Sequence, residues 1–254
     1  MKPDVAQSPA NAEGVAEEER PSTLEWAKRW LSPARLAPYL ADCGGDVELA
    51  LALHEWNLAL GRAVMMDVAH FELALRNSYA RVLRDGLGDG WLLDDSSPLR
   101  APIMRMSKAK KQRDVNLVNR RAIDDAQRRA RDHSNADQVV AGLTLGFWVH
   151  LTDRSRERDL WIPHLHKAWP VGSDRNDLNA RLYAVNQLRN RVAHHERLFD
   201  PKDKGLSPRA VDADAVALLR DLHPEAYDRL FGEDPRTGVE RFLDGDPAPV
   251  GVGL

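Results

Sequence analysis

The residue types best suited to chemistry stand together in one short segment near position 190. Arg189, Asn190 and His194 lie within six residues, and His195 follows directly. A histidine titrates near neutral pH and can move a proton, while an arginine presents a planar fork of donors to a phosphate. Asn190 and His194 are four residues apart, so on a helix they share one face. The segment indicates phosphate chemistry, with His194 as acid or base and Arg189 stabilising charge on the phosphoryl oxygens.

The same side chains also fit a purely structural role. The carboxyl end of a helix favours cationic side chains because of the helix dipole, and adjacent histidines there can simply cap the helix. Arg189 and His194 lie about 140° apart around an ideal helix, so Arg189 reaches the same anion only through its long side chain. The charge pattern alone leaves the catalytic and the capping interpretations open.

The elements that position this segment are predicted to be helices. Ser173 or Asp174 caps a helix that runs to Val192, and Asp46 caps a long helix that runs to Arg84. Residues 99–131 are also predicted to be helical, from residue propensities. No stretch shows the sustained alternation of an exposed strand. The sequence therefore predicts an all-α helical bundle. Further helices are expected over 35–41, from 135 to 151, from 156 to 169, and from Pro208 and Pro224 onwards.

Composition divides the chain into three parts. Residues 1–21 carry prolines and acidic side chains with almost nothing to bury, which predicts a disordered leader. Residues 22–243 hold the helical patterns and are expected to form a single all-α domain. Residues 244–254 are rich in glycine and proline, which is typical of a flexible tail.

The net charge of −3 hides a segregated distribution. Residues 100–131 carry eleven lysines and arginines against three aspartates, whereas the C-terminal part is acidic. Such a basic segment could bind an RNA backbone without sequence preference. The alternative is a solvated face whose charges pair with acids elsewhere, which the acidic C-terminal part could supply. The candidate RNA-binding residues are Lys108, Lys110, Lys111, Arg113, Arg120 and Arg121.

Composition also excludes several classes of protein. The single cysteine, Cys43, excludes a disulfide framework and any cysteine-rich metal centre within one chain. No apolar run reaches the roughly 18 residues of a membrane span, and the acidic N-terminus is unlike a signal peptide, so a cytoplasmic protein is expected. His150, His164 and His166 could suggest zinc. Without cysteine ligands or a His-Glu-x-x-His motif, neither a metal nor another cofactor is expected.

The segment Arg189-Asn190-Arg191-Val192-Ala193-His194-His195 resembles the Arg-Asn-x-x-x-His core of the HEPN superfamily. More narrowly, the chain resembles the bacterial Abi-like (abortive infection) family, in order, over about residues 31 to 243. Three further blocks carry the likeness: 31–40 with Gly44-Gly45-Asp46, then His54-Glu55-Trp56-Asn57 with 71–77, and 144–148 with Leu160-Trp161 and Trp169-Pro170.

The resemblance implies an all-α, HEPN-like helical bundle with additional helices. Active members of the superfamily are metal-independent endoribonucleases, often toxins or phage-defence effectors, and typically work as homodimers whose motifs converge across the interface. Carried over, Arg189 and His194 are the catalytic pair and Asn190 is the polar companion. RNA would be cleaved by attack of a ribose 2′-hydroxyl, leaving a 2′,3′-cyclic phosphate. An antitoxin or regulatory protein could be a further partner.

Three residues are candidates for a supporting role. The family carries an acidic residue and an Arg-Asn pair in the block that holds Glu72 and Asn77 here, and related proteins place such a residue near the site. The alternative for these two is a surface charge and an internal hydrogen bond. His195 has no matching role in the superfamily motif and is secondary.

A function from another class also fits the resemblance. The chain could be a non-catalytic RNA-binding or protein-interaction module that keeps the fold and uses the motif as an anion site, under the control of a partner protein. The intact pair of Arg189 and His194 favours catalysis, because a degenerate member is expected to lose one of them.

Overall fold

The computed structural model describes residues 22–106, 110–200 and 206–254. Helices dominate these residues, and the strands among them form one two-stranded hairpin. The all-α class predicted from the sequence is thereby confirmed. Two compact units make up the chain, one ending at Ala52 and the other beginning at Leu53. The predicted leader, residues 1–21, lies outside the described residues.

Two short helices open the first unit. Helix α1 spans Thr23–Leu31, helix α2 spans Pro33–Asp42, and the two pack against each other. The Ser22 hydroxyl accepts a hydrogen bond from the Glu25 N–H in the first turn of α1, and the Ser32 hydroxyl caps α2 in the same way. The helix predicted over 35–41 is confirmed as part of α2, whereas α1 is not among the predicted helices.

Helix α3 spans Val47–Leu87 and is 41 residues long. The Asp46 carboxylate accepts a hydrogen bond from the Leu49 N–H at 3.0 Å, which fixes the predicted start of the helix. Its length alone does not make it a membrane span: no helix in the described ranges combines the length and the apolarity that crossing a bilayer requires. In the second unit one face of α3 is fully buried through Leu60, Val64, Val68, Phe71, Leu75 and Tyr79.

A hairpin and a helix replace the single helix predicted over 99–131. Strand β1 (Met104–Met106) pairs antiparallel with β2 (Gln112–Asp114), and α4 follows at Leu117–Arg129. The prediction is correct for α4 and wrong for the residues before it, because two strands of three residues are too short to show periodicity.

Long-range hydrogen bonds hold this hairpin. The buried Asn116 amide donates to the carbonyls of Leu99 and Ala101 at 2.9 and 2.8 Å. The Asp114 carboxylate accepts from the N–H groups of Ile103 and Asn116, both at 2.9 Å. These side chains compete with helical hydrogen bonding, so helix propensity alone does not predict the local structure.

Two stretches predicted as single helices are divided. Helices α5 (Ala136–Ala141) and α6 (Leu145–His150) are separate, since the chain turns at Gly142. Residues 154–168 form short 3₁₀ and π-helical turns instead of the predicted regular helix, since Pro163 has no N–H to donate and disfavours helix before it. Three tryptophans of these stretches are buried in the core: Trp148, Trp161 and Trp169.

Four helices complete the second unit. Helix α7 spans Arg175–Ala193, α8 spans Pro208–Leu222, α9 spans Pro224–Phe231 and α10 spans Gly238–Gly245. Helix α8 packs against α7, α9 and α10, and α6 also packs against α7. Helix α10 is not among the helices predicted from the sequence, although Thr237 and Glu240 form a capping box at its start. Beyond it, in the segment predicted as a flexible tail, the Gly253 carbonyl accepts a hydrogen bond from the Asp200 N–H at 2.7 Å.

Candidate functional site

The register of α7 decides which side chains face a cavity. The Asp174 carboxylate accepts a hydrogen bond from the Asp177 N–H at 2.8 Å and begins the helix. Leu182, Val185 and Leu188 are fully buried and fix its rotation. Three polar side chains therefore share the adjoining face, at helical spacings of three and one: Asn186, Arg189 and Asn190.

A cavity of about 330 Å³ opens on this face of α7, with further walls from α4 and α6. Six polar side chains line it, and none is a carboxylate: Asn119, Thr144, His150, Asn186, Arg189 and Asn190. Such a lining offers donors and one fixed positive charge to a ligand, which suits an anion with several acceptor oxygens. We call this space the Arg189 cavity.

The Arg189 guanidinium is not fully paired within the described protein. Its Nη1 donates to Asn190 Oδ1 over a long 3.4 Å, and its Nε is buried with no acceptor among the described residues. A buried donor without a partner costs about 1–3 kcal/mol. The guanidinium as a whole lines the Arg189 cavity, so an anion bound there can accept from its other N–H groups.

Helix α7 ends in a Schellman motif that involves the second histidine. The His195 N–H donates to the Val192 carbonyl and the Glu196 N–H donates to the Arg191 carbonyl, each at 2.9 Å. His195 takes a φ of 53°, the left-handed conformation that this motif requires and that glycine usually provides. The backbone of His195 thus has the capping role that the structural interpretation of the sequence described.

The two histidine side chains lie outside the lining of the Arg189 cavity. His194 is exposed at the end of α7, and its N–H donates to the Asn190 carbonyl at 3.0 Å. His195 lines a second cavity of about 460 Å³ beside α3, where most of the lining is apolar. The structure therefore brings Arg189 and Asn190 together in one cavity and places His194 and His195 beyond it.

A residue that sequence reasoning did not single out holds the segment after the histidines. Asn57 is buried on α3, where its amide donates to the Glu196 carbonyl at 3.1 Å and its Oδ1 accepts from the Leu198 N–H at 2.8 Å. An asparagine on the apolar face of a long helix is the signal that could have revealed this role.

His150 is a second residue with a role beyond the sequence predictions. It lies at the end of α6 and lines the Arg189 cavity, whereas the sequence had suggested it only as a zinc ligand. Its Nδ1 lies 2.7 Å from the Tyr183 hydroxyl oxygen and 3.4 Å from an Asp153 carboxylate oxygen. Tyr183 is 33 residues from His150 and 30 residues from Asp153 in the sequence. No local motif therefore predicts that Tyr183 joins the other two.

The remaining supporting candidates lie on α3. Glu72 is half-buried and Asn77 is exposed. Neither belongs to the lining of the Arg189 cavity or of the cavity beside His195. A supporting role for them stays a prediction.

The basic segment is partly neutralised by nearby acids. Arg100 pairs with Asp124 at 2.9 Å, Arg120 with Asp114, and Arg128 with Asp125. These three acids belong to the segment itself and not to the acidic C-terminal part, which was the source that the alternative interpretation offered. Lys108 lies outside the described residues. Lys110 and Lys111 are exposed and directly precede β2.

Two of the candidate RNA-binding arginines line a groove. Arg113 and Arg121 are exposed and form no ion pair with a described residue, and both line a space of about 660 Å³ along α4. Val118 and Ala122 line both this groove and the Arg189 cavity. The groove and the cavity are therefore neighbours on α4.

No cluster of three or more histidine, cysteine, aspartate or glutamate side chains in the described ranges is arranged to hold a metal ion. That the chain acts without a metal stays a prediction.

Comparison of the chain with protein-family models, with curated proteins and with solved structures found no match in any of the three. The resemblance to the Abi-like family and the HEPN superfamily is therefore carried by the sequence blocks alone, and the function drawn from it is a proposal.

Proposed function

We propose that the chain is an endoribonuclease of the HEPN type that binds the scissile phosphate of RNA in the Arg189 cavity. Arg189 stabilises the charge on the phosphoryl oxygens, and Asn190 donates a further hydrogen bond from its amide. The ribose 2′-hydroxyl attacks phosphorus, and His194 serves as acid or base in that reaction. No metal takes part, and the product carries a 2′,3′-cyclic phosphate.

The observation that carries the proposal is the chemistry of the cavity lining. Arginine, three asparagines, a threonine and a histidine line it, with no carboxylate to repel a phosphodiester. Arg189 supplies the one fixed positive charge in this lining, and its guanidinium offers several N–H donors to phosphate oxygens.

The neighbouring groove supports RNA as the source of the phosphate. Arg113 and Arg121 line the groove, which shares Val118 and Ala122 with the Arg189 cavity. A strand whose backbone follows these arginines would bring a phosphodiester to the cavity, and such contacts bind RNA without reading its sequence.

The position of His194 favours a site completed by a second copy of the chain. His194 is exposed at the end of α7 and does not line the cavity that holds Arg189. In the superfamily that the sequence resembles, motifs from two copies converge. We therefore propose a homodimer, acting as a toxin or phage-defence effector under a regulatory partner.

The test is cleavage of a labelled RNA pool by the purified chain in EDTA. The wild type is expected to cleave it, and Arg189→Ala and His194→Ala are each expected to reduce the rate by about 100-fold or more. Arg229→Ala is the control, because Arg229 is an exposed arginine on α9 outside the cavity lining.

The outcomes separate the two classes of function. RNA binding without cleavage, lost in Arg189→Ala, would support the non-catalytic binding module instead. Equal cleavage by the wild type and Arg189→Ala would show that the activity does not belong to this cavity.

A further inference from the structure

The proposed cleavage needs two proton transfers. A base takes the proton of the 2′-hydroxyl as the O2′–P bond forms, and an acid gives a proton to the 5′-oxygen as the P–O5′ bond breaks. Within one chain His194 lies outside the lining of the Arg189 cavity, so neither transfer has a group assigned in the cavity itself. His150 is a titratable side chain in the lining of the Arg189 cavity and has no assigned role.

The hydrogen bonds around His150 fix its tautomer. The Tyr183 hydroxyl donates to Asp153 Oδ1 at 2.9 Å and lies 2.7 Å from His150 Nδ1. A hydroxyl carries one proton, so an oxygen that donates to the carboxylate accepts from Nδ1–H. In the neutral ring the lone pair is then on Nε2. None of the described residues hydrogen-bonds Nε2.

The carboxylate behind the histidine is held in its charged form. Burial acts to raise the pKa of Asp153, but hydrogen bonds from His150, Tyr183 and Asn179 together lower it below its ordinary value. An ionised Asp153 stabilises the imidazolium that forms when Nε2 takes up a proton. The arrangement is that of a base oriented by a hydroxyl and a carboxylate.

We infer that His150 is the base of the reaction, with its Nε2 taking the 2′-hydroxyl proton of an RNA phosphodiester bound by Arg189. The inference rests on the proposed function. The oxygen so activated attacks phosphorus, the P–O5′ bond breaks, and His194 gives its proton to the leaving 5′-oxygen. Tyr183 and Asp153 are positioning residues, since they act through His150.

The first test compares His150→Gln with His133→Gln in the RNA cleavage assay. Glutamine keeps a polar side chain in the cavity but cannot take the proton, so kcat is expected to fall by about 100-fold or more while the Kd for RNA is unchanged. His133 is an exposed histidine outside the cavity lining, and His133→Gln is expected to cleave at the wild-type rate. Cleavage by His150→Gln at the wild-type rate would overturn the inference.

The second test addresses the role of the hydroxyl. Tyr183→Phe removes the link between His150 and Asp153 and keeps the ring. We expect kcat of Tyr183→Phe to fall. We also expect the rise of kcat on the acidic side of its pH profile to move to lower pH, because the His150 imidazolium loses a hydrogen-bond acceptor. A loss of packing alone would leave the position of that rise unchanged, and such a result would contradict the relay.

The third test does not depend on cleavage and separates this inference from the proposed function. Inorganic phosphate is titrated into ¹⁵N-labelled protein, and the ring nitrogens of the histidines are followed by NMR. Phosphate is expected to perturb His150 Nε2 in the wild type and not in Arg189→Ala. If the wild type does not cleave RNA, this perturbation would still support His150 and Arg189 as one anion site, and its absence would overturn that pairing.

Discussion

At the scale of single residues, neighbours in the sequence have different surroundings in the structure. Arg189 and Asn190 line a cavity that suits a phosphate, while His195 adopts the left-handed backbone that ends α7. The types and spacing of the side chains in the sequence are enough to single out Arg189 and Asn190 as candidate site residues. They do not reveal His150, because its contacts to Tyr183 and Asp153 join residues from α6, a turn and α7.

The capping role of His195 predicts that glycine improves this position. A non-glycine residue in the left-handed region costs about 1–2 kcal/mol, and glycine removes that cost while adding flexibility to the unfolded chain. His195→Gly is therefore expected to raise the free energy of unfolding by up to about 1 kcal/mol and to preserve RNA cleavage. Urea denaturation checks the first expectation. His195→Ala, which keeps the strain, is the control, and a lower stability for His195→Gly than for His195→Ala would contradict the capping role.

At the scale of elements, two buried aspartates hold the first turn of α10. Asp67 accepts a hydrogen bond from the Gly238 N–H, and Asp212 accepts one from the Val239 N–H at 3.2 Å. A Cβ at Gly238 would lie 2.9 Å from the Ala63 carbonyl oxygen, so only glycine allows α10 to approach α3 this closely. Burial and, after it, the Asp67 carboxylate raise the pKa of Asp212 to about 8.

This pair predicts that stability falls as the pH rises. A pKa raised above the unfolded value of 3.8 means that the folded state binds the proton more tightly, so the stabilisation is complete below about pH 4 and is lost up to about pH 8. The contribution of Asp212 to the free energy of unfolding changes by at most about 1.4 kcal/mol per pH unit. Urea denaturation at several pH values between about 4 and about 8 measures this change in the free energy of unfolding. Asp212→Asn is expected to make the free energy of unfolding less dependent on pH. Asp228 is exposed on α9, so Asp228→Asn is the control and is expected to keep the wild-type pH dependence.

Element boundaries show why part of the fold follows from the sequence and part does not. Serine and aspartate caps fix the starts of α2, α3 and α7, since such caps act within one turn. The hairpin before α4 depends on Asn116 bonding to carbonyls 15 and 17 residues away. Helix α10 begins with a local capping box between Thr237 and Glu240, but its docking on α3 depends on Asp67, 171 residues from Gly238. Local patterns carry no signal for contacts at these separations.

At the scale of the whole molecule, the near-neutral net charge conceals the basic segment over residues 100–131. Three arginines of this segment, Arg100, Arg120 and Arg128, are ion-paired with aspartates, so the count of basic residues overstates the charge that is left for RNA. Arg113 and Arg121 are the ones that line the groove beside the Arg189 cavity. The homodimer, the regulatory partner and the cytoplasmic location stay predictions.

The groove predicts a salt-dependent affinity for RNA. Arg113→Gln and Arg121→Gln are each expected to weaken binding across unrelated RNA sequences and to reduce the slope of log K against log[salt] by about one phosphate contact. Fluorescence anisotropy over a range of salt concentrations measures both. Arg229→Gln is the matched control on α9. A groove variant with the affinity and salt slope of this control would contradict the proposed RNA path.

The most direct measurement for the whole account is the chemistry of the product ends. The wild type and Arg189→Ala are incubated in EDTA with an RNA pool and with its 2′-deoxy counterpart, and the 3′ ends are analysed by mass spectrometry. The proposed mechanism predicts 2′,3′-cyclic phosphates from RNA with the wild type, far fewer with Arg189→Ala, and no cleavage of the 2′-deoxy pool. Cleavage of both pools, or RNA products that never carry a cyclic phosphate, would contradict it.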